Sequence, residues 1–211
     1  MQFRVRALRA LAAGWLCALA GLAAAATVDY RGAQPSPAAR QAAQRAVAGD
    51  AAGKPFAIVD KPGAMIYVFN ARGRLTGASP ALLGLTPGDT GVPGVGKRPL
   101  SAIRPHERIT PAGRYETEPG INLEGEPVVW FDYDEGLAIH RVRPGPTHEQ
   151  RLQRLASATP DDNRISLGCV VVPVAFYEQV VAATLGRRAG VVYVLPEAPG
   201  IPQPFGTPED L

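Results

Sequence analysis

From Phe56 onward, glycine and proline cut the chain into short apolar runs that suit strands and leave little room for helices. Phe56-Ala-Ile-Val-Asp60, the turn Lys61-Pro62-Gly63 and Met65-Ile-Tyr-Val-Phe69 read as a hairpin, and Asn70-Ala-Arg-Gly73 marks the next turn. Further strands are predicted at Gly113–Thr117, Val128–Tyr133, Leu137–His140 and Val191–Leu195. Two helices stand out. Ser36 caps one, with Pro37 at its first position and an alanine-rich apolar face that suits the rim of a domain. The other runs from Pro173 to Leu185, with Gly186 just beyond it. This pattern predicts a mainly β domain, an antiparallel β-sandwich or barrel with a few short helices. Between Thr86 and Glu107 lies a long Gly/Pro-rich stretch, of the kind that is functional or flexible in a compact domain.

The N-terminus reads as an export signal. Arg4, Arg6 and Arg9 precede an apolar stretch from Leu11 to Leu22, too short to span a bilayer comfortably, and Ala24-Ala25-Ala26 offers a cleavage site before Thr27. Cys17 leaves with this segment, and Leu16 before it is too large for a lipoprotein site; the alternative is an uncleaved anchor. Taking the three arginines of residues 1–26 from the chain's 22 Lys+Arg leaves 19, against 19 Asp+Glu. The basic character therefore belongs to the leader, and the remainder gives no electrostatic case for nucleic acid or an anionic membrane. No later stretch is long and apolar enough to span a membrane, so the mature protein is expected to be soluble and monomeric. Residues 27–54 read as a helical extension, 55–196 as the main domain, and 197–211 as a Pro-rich tail.

One cysteine then remains, in Arg164-Ile165-Ser166-Leu167-Gly168-Cys169-Val170-Val171-Val172-Pro173. Free cysteine is often simply buried, but an exported protein has little reason to keep one oxidisable thiol. As a nucleophile it needs a base, a partner for that base's other nitrogen and donors for the oxyanion. His140, at the end of a predicted strand, is the first candidate base, and a Gly168-Cys169 turn presents backbone N–H groups without a Cβ in the way. His148 is the second candidate; His106, between Pro105 and Glu107, reads as a solvated loop residue. A working thiol is expected to have a depressed pKa and to label rapidly near neutral pH. Three scattered histidines and one cysteine give no metal-ligand spacing, and the Gly91–Gly96 stretch lacks the Lys-Ser/Thr of a phosphate loop. Neither a metal nor a cofactor is expected.

These residues resemble the L,D-transpeptidase catalytic domain family. The resemblance lies in Ile139-His140 and Ser166-Leu167-Gly168-Cys169-Val170, with Ile58-Val-Asp-Lys-Pro62, Ile66-Tyr-Val-Phe69 and Thr110-Pro-Ala-Gly-Arg-Tyr115 in the family's order, and it covers roughly residues 55–196. It implies that fold and an exported, cofactor-free enzyme of the periplasm or cell envelope. Such enzymes attack the third residue of a peptidoglycan tetrapeptide stem, release D-alanine and form 3→3 cross-links. By the same resemblance, Cys169 is the nucleophile, His140 the base and the Arg141 carbonyl the histidine's orienter. Gly168 and Cys169 supply backbone oxyanion donors, and Ser166, Arg141 and Arg164 stand with Gly168 as oxyanion- or substrate-binding residues. Arg114, Arg141, Arg143 and Arg164 are candidates for stem carboxylates. Two positions depart from the motif: Leu167 stands where the family has histidine, and Val171 where it has Asn or Arg. Cys169 also lies 29 residues after His140, with a helix-like lid expected over His148–Ala156. A hydrolase with the same site and a wall-binding module with a decayed site are the alternatives.

Overall fold

The computed structural model describes residues 27–198. The signal segment and nearly all of the Pro-rich tail lie outside the described residues. Ten strands are present among the described residues: β1 (Phe56–Asp60), β2 (Met65–Phe69), β3 (Leu75–Pro80), β4 (Leu83–Gly84), β5 (Gly113–Ile121), β6 (Pro127–Asp132), β7 (Leu137–Arg141), β8 (Arg164–Ser166), β9 (Val170–Val172) and β10 (Gly190–Val194). Eight of them form one sheet in the order β3-β2-β1-β10-β5-β6-β7-β9, while β4 pairs with β8. The sheet is mixed, which corrects the antiparallel expectation: β1 runs parallel to β10, and β7 parallel to β9. Alternation of apolar residues cannot distinguish the two directions, because both put successive side chains on opposite faces.

β5 is the corner. Its first half, Gly113–Thr117, pairs with β10, and its second half, from Glu118 to Ile121, pairs with β6. Pro119, which has no N–H to donate, is tolerated because β10 has ended there. At the far end, Leu82 and Val171 exchange two backbone hydrogen bonds of 2.8 and 2.9 Å, which brings β9 back to the segment after β3 and nearly closes the sheet.

Three helical segments cover the sheet. α1 (Pro37–Arg45) begins as read from the sequence, with the Ser36 hydroxyl accepting from the Ala39 N–H at 3.1 Å. Its alanines sit on the sheet face rather than at the rim, with Ala39, Ala42 and Ala43 packed in a cluster with Phe56, Ile58, Phe69 and Tyr193. α2 (Arg151–Ala156) follows a short turn at Thr147–Glu149. The segments α3 (Val174–Phe176) and α4 (Ala182–Thr184), joined through a π turn at Tyr177–Val181, correspond to the helix expected from Pro173 to Leu185. Tyr177, Val181 and Leu185 from this helix fill the main core with Val59, Ile66, Val129, Ile139 and Val170.

Lys61, at the turn of the opening hairpin, is completely buried. Its ammonium donates to Asp89 at 2.7 Å, to the Thr110 carbonyl at 3.0 Å and to the Gly88 carbonyl, and lies 3.4 Å from Glu197. The Lys61 carbonyl in turn accepts from Arg164, which also grips Glu197 at 2.8 and 2.9 Å. One buried cation therefore ties the first hairpin to the long loop, to the Thr110 segment and to the strand leading into Cys169. Removing it takes the paired cation from Asp89 and leaves Glu197 to Arg164 alone. Lys61→Met should lower the unfolding free energy by about 3 kcal/mol, read by urea denaturation. A change near zero would show that the ion cluster is dispensable.

Candidate active site

The turn before β9 is built to hold one residue out. Gly168 has φ +135, a conformation side chains rarely adopt, and a Cβ there would lie 2.7 Å from the Ile109 carbonyl oxygen and 2.8 Å from Leu137. Three hydroxyl contacts fix the turn. Ser166 Oγ donates to the Cys169 carbonyl at 2.7 Å and accepts from the Gly168 N–H at 3.1 Å. Thr110 Oγ1 donates to the Gly168 carbonyl at 2.9 Å and accepts from the Gly84 N–H at 2.8 Å. Thr110 is buried and belongs to the Thr-Pro segment noted in the sequence, but its part in clamping this turn shows only in the fold.

The parallel pairing of β7 with β9 brings the two reactive residues together. Ile139 pairs with Val170 and His140 with Val171, which sets Cys169 level with Ala138. Ile139, Val170 and Val172 point into the main core, so Ala138, His140, Cys169 and Val171 share the opposite face. His140 Nδ1 lies 2.8 Å from the Arg141 carbonyl, the partner expected from the sequence. With the proton on Nδ1 donated to that carbonyl, Nε2 is the basic nitrogen.

The thiol makes its hydrogen bond elsewhere than to the imidazole. Cys169 Sγ lies 3.6 Å from the Gly136 carbonyl, as a donor, and no hydrogen bond joins it to His140 among the described residues. Rotation about χ1 is the motion that would swing Sγ along the strand toward His140, and catalytic hydrogen bonds are often unformed before substrate arrives. Burial pushes the Cys169 thiol up from its ordinary value, against the opposing effects of the Ala138 N–H and the Arg143 charge. Burial likewise holds the His140 imidazole down, with the Arg141 carbonyl opposing and Arg143 and Arg151 adding to the effect. Both shifts favour neutral forms. For Cys169 this direction is opposite to the depressed thiol pKa expected from the sequence.

The oxyanion donors also differ from expectation. The Gly168 N–H is held by Ser166, so it is not free in this state. The Cys169 N–H alternates with that of Val170 and faces the same edge as the Val171 N–H, which bonds the Leu82 carbonyl. Of the two expected donors, it is the one without a hydrogen bond among the described residues.

The insertion between β7 and β9 forms one wall. Leu155 of α2 packs with Leu82, Val142 and Val171 in a small apolar cluster against which Ile165 and Cys169 rest. Val171, in place of a polar residue, is 5% exposed and serves as packing beneath α2. Arg151 bonds Glu149 and the Arg143 carbonyl, and Arg154 bonds the Glu149 and Asp162 carbonyls, which staples the insertion to itself. His148 and His106 are exposed on short turns away from these contacts.

The arginines considered for carboxylate binding already have partners. Arg141 pairs with Glu126 at 2.8 Å, Arg143 with Glu124 and Glu126 at 3.0 and 3.1 Å, and Arg114 with Asp50 and Glu116 at 3.0 and 2.9 Å. Arg164 is held by Glu197 and Lys61 as described above. The Gly/Pro-rich loop is pinned as well: Glu135 accepts from the Gly94 and Gly96 N–H groups at 2.7 and 3.3 Å, bonds that hold its carboxyl below the usual range. That loop roofs a cavity of about 220 Å³ bounded by Val92, Val95, Tyr115, Asp132 and Leu137. Among the described residues there is no group of three or more His, Cys, Asp or Glu side chains able to hold a metal ion, and no helix long and apolar enough to cross a membrane. A scan against models of protein families and a search of curated proteins give no match for the chain.

The raised thiol pKa makes a prediction about reactivity. In the free protein, the rate of Cys169 alkylation by iodoacetamide should climb with a midpoint above the ordinary thiol value of about 8.5, because burial disfavours the thiolate. A plateau of rapid labelling already established at pH 6 would instead reveal a thiolate–imidazolium pair at rest.

Proposed function

We propose that this protein is an exported L,D-transpeptidase acting on peptidoglycan stems in the periplasm or cell envelope, with its sheet forming the catalytic fold of that family. The observation that carries the reading is the placement of Cys169 and His140 on one face of adjoining parallel strands, with His140 Nδ1 on the Arg141 carbonyl. The ordered motifs and the hydroxyl-clamped Gly-Cys turn support it.

In this mechanism a tetrapeptide stem lies with the carbonyl carbon of its third residue over Sγ. Sγ attacks as His140 Nε2 takes the thiol proton, so no free thiolate has to persist beforehand. The carbonyl oxygen gains the negative charge and accepts from the Cys169 N–H, with the Gly168 N–H joining if the Ser166 hydroxyl turns away. Collapse of the adduct breaks the bond to D-alanine, whose departing amine takes the proton from His140. The thioester is then attacked by the side-chain amine of a second stem. His140 removes that amine's proton and returns it to sulfur as the new amide forms. No cofactor takes part in this scheme.

The upward shift of the thiol and the downward shift of the imidazole fit such concerted proton transfer, and the apolar wall made by Leu155 and Val171 limits water near the thioester. Incubation with purified disaccharide-tetrapeptide should give a dimer lacking one D-alanine, detected by mass spectrometry. Cys169→Ser should abolish it, and His140→Ala should slow it by about 10³-fold with the fold intact by circular dichroism. Monomeric tripeptide as the sole product would mean that water, not an amine, resolves the acyl-enzyme. Activity retained in His140→Ala and lost in His148→Ala would overturn the base assignment.

A further inference from the structure

The face that carries Cys169 and His140 continues across two more strands, and its far end is aromatic. Strand pairing lines up Glu118 of β5, Trp130 of β6 and Ala138 of β7 in one row, and Cys169 stands level with Ala138. The next row holds Gly120, Val128, His140 and Val171. Neighbouring strands are about 4.8 Å apart, so the Trp130 backbone lies roughly 10 Å from that of Cys169. Between them stands Ala138, a small and buried residue, so the thiol and the indole are related through the strand register across one intervening strand.

Around the indole is an open concavity of about 400 Å³, lined by residues that include Glu118, Gly120, Trp130 and Tyr133. Trp130 and Tyr133 meet edge to face, with ring centroids 5.2 Å apart. Tyr133 is 75% exposed, so most of its ring meets solvent. The indole lies against β5 because Gly120 has no side chain; a Cβ there would sit 2.7 Å from Trp130 Cδ1 and Nε1. Of the two carboxylates, Glu116 is matched by Lys54 and Arg114, whereas Glu118 has no ion-pair partner among the described residues.

We propose that the Trp130–Tyr133 surface is a saccharide subsite of the same groove. Exposed aromatic faces suit the C–H face of a pyranose ring, and the Glu118 carboxylate and Tyr133 hydroxyl are placed for its hydroxyl groups. The spacing also fits. Three residues of extended chain span about 10 Å, and three residues separate the attacked carbonyl of a stem from its sugar. This inference rests on the transpeptidase reading for the identity of the saccharide, an N-acetylated amino sugar, but not for the existence of the subsite.

The test uses the full chain carrying Cys169→Ala, so that no acyl transfer takes part, and Trp15→Phe, which makes Trp130 its only tryptophan. Chitotetraose should shift the Trp130 emission saturably, and Tyr133→Ala, which removes an exposed ring outside the core, should weaken that affinity about tenfold. Free tetrapeptide without sugar should leave the emission unchanged. No response to millimolar chitotetraose overturns the proposal, as does a response to the tetrapeptide alone. If chitotetraose binds while the unsubstituted enzyme fails to consume disaccharide-tetrapeptide, the subsite stands and the acyl-transfer reading falls.

Discussion

Parallel pairing between β7 and β9 is the constraint from which the candidate site follows. Two parallel neighbours cannot be joined by a tight turn; the chain must leave one end of the sheet and return to the other, which takes a dozen residues or more. The segment between Arg141 and Val170 makes that return, so the long interval between His140 and Cys169 is the crossover that their pairing requires. Residues two apart along paired strands share a face, so this register puts His140 on the same face as Cys169. The crossover then supplies α2, whose Leu155 packs on Val171 and walls the thiol. A polar side chain at position 171 would be buried in that apolar cluster, which accounts for valine at a position where the resembling family has a polar residue.

A second set of contacts keeps this pair in place. The buried Lys61 ammonium reaches the Thr110 carbonyl, and the Thr110 hydroxyl holds Gly168. Arg164 joins Lys61 to Glu197 just before the Ser166 turn. The hairpin at one end of the sheet is thus linked through charged and hydroxyl contacts to the cysteine turn at the other. This arrangement also explains why Arg164 and Arg141 have partners within the protein. Their carboxylate partners hold the scaffold.

Local signals were legible in the sequence where the physics is local. Ser36 and Pro37 mark the start of α1 because capping involves residues three apart, and Lys61-Pro62-Gly63 marks a hairpin because its turn and its strands are contiguous. His140, Cys169 and the Arg141 carbonyl could be named because they carry motif chemistry. β3 was missed, since Gly77 and Pro80 weaken its pattern and only its place at the sheet edge lets it form. Strand direction, the clamping of Gly168 by Thr110 and the burial that raises the Cys169 pKa all depend on contacts between distant segments. Trp130 belongs to the same class: nothing near it in sequence signals that it shares a row with the cysteine, and only the strand register reveals it.

In the proposed reaction Cys169 forms a thioester with a stem peptide as His140 takes its proton. Intact-protein mass spectrometry after rapid acid quench of a reaction with disaccharide-tetrapeptide tests it most directly. The account predicts an adduct equal to the disaccharide-tetrapeptide minus D-alanine, confined to the fragment containing Cys169, absent from Cys169→Ala and strongly depleted in His140→Ala. Product formation without any adduct at Cys169, or an adduct that accumulates equally fast in His140→Ala, would contradict it.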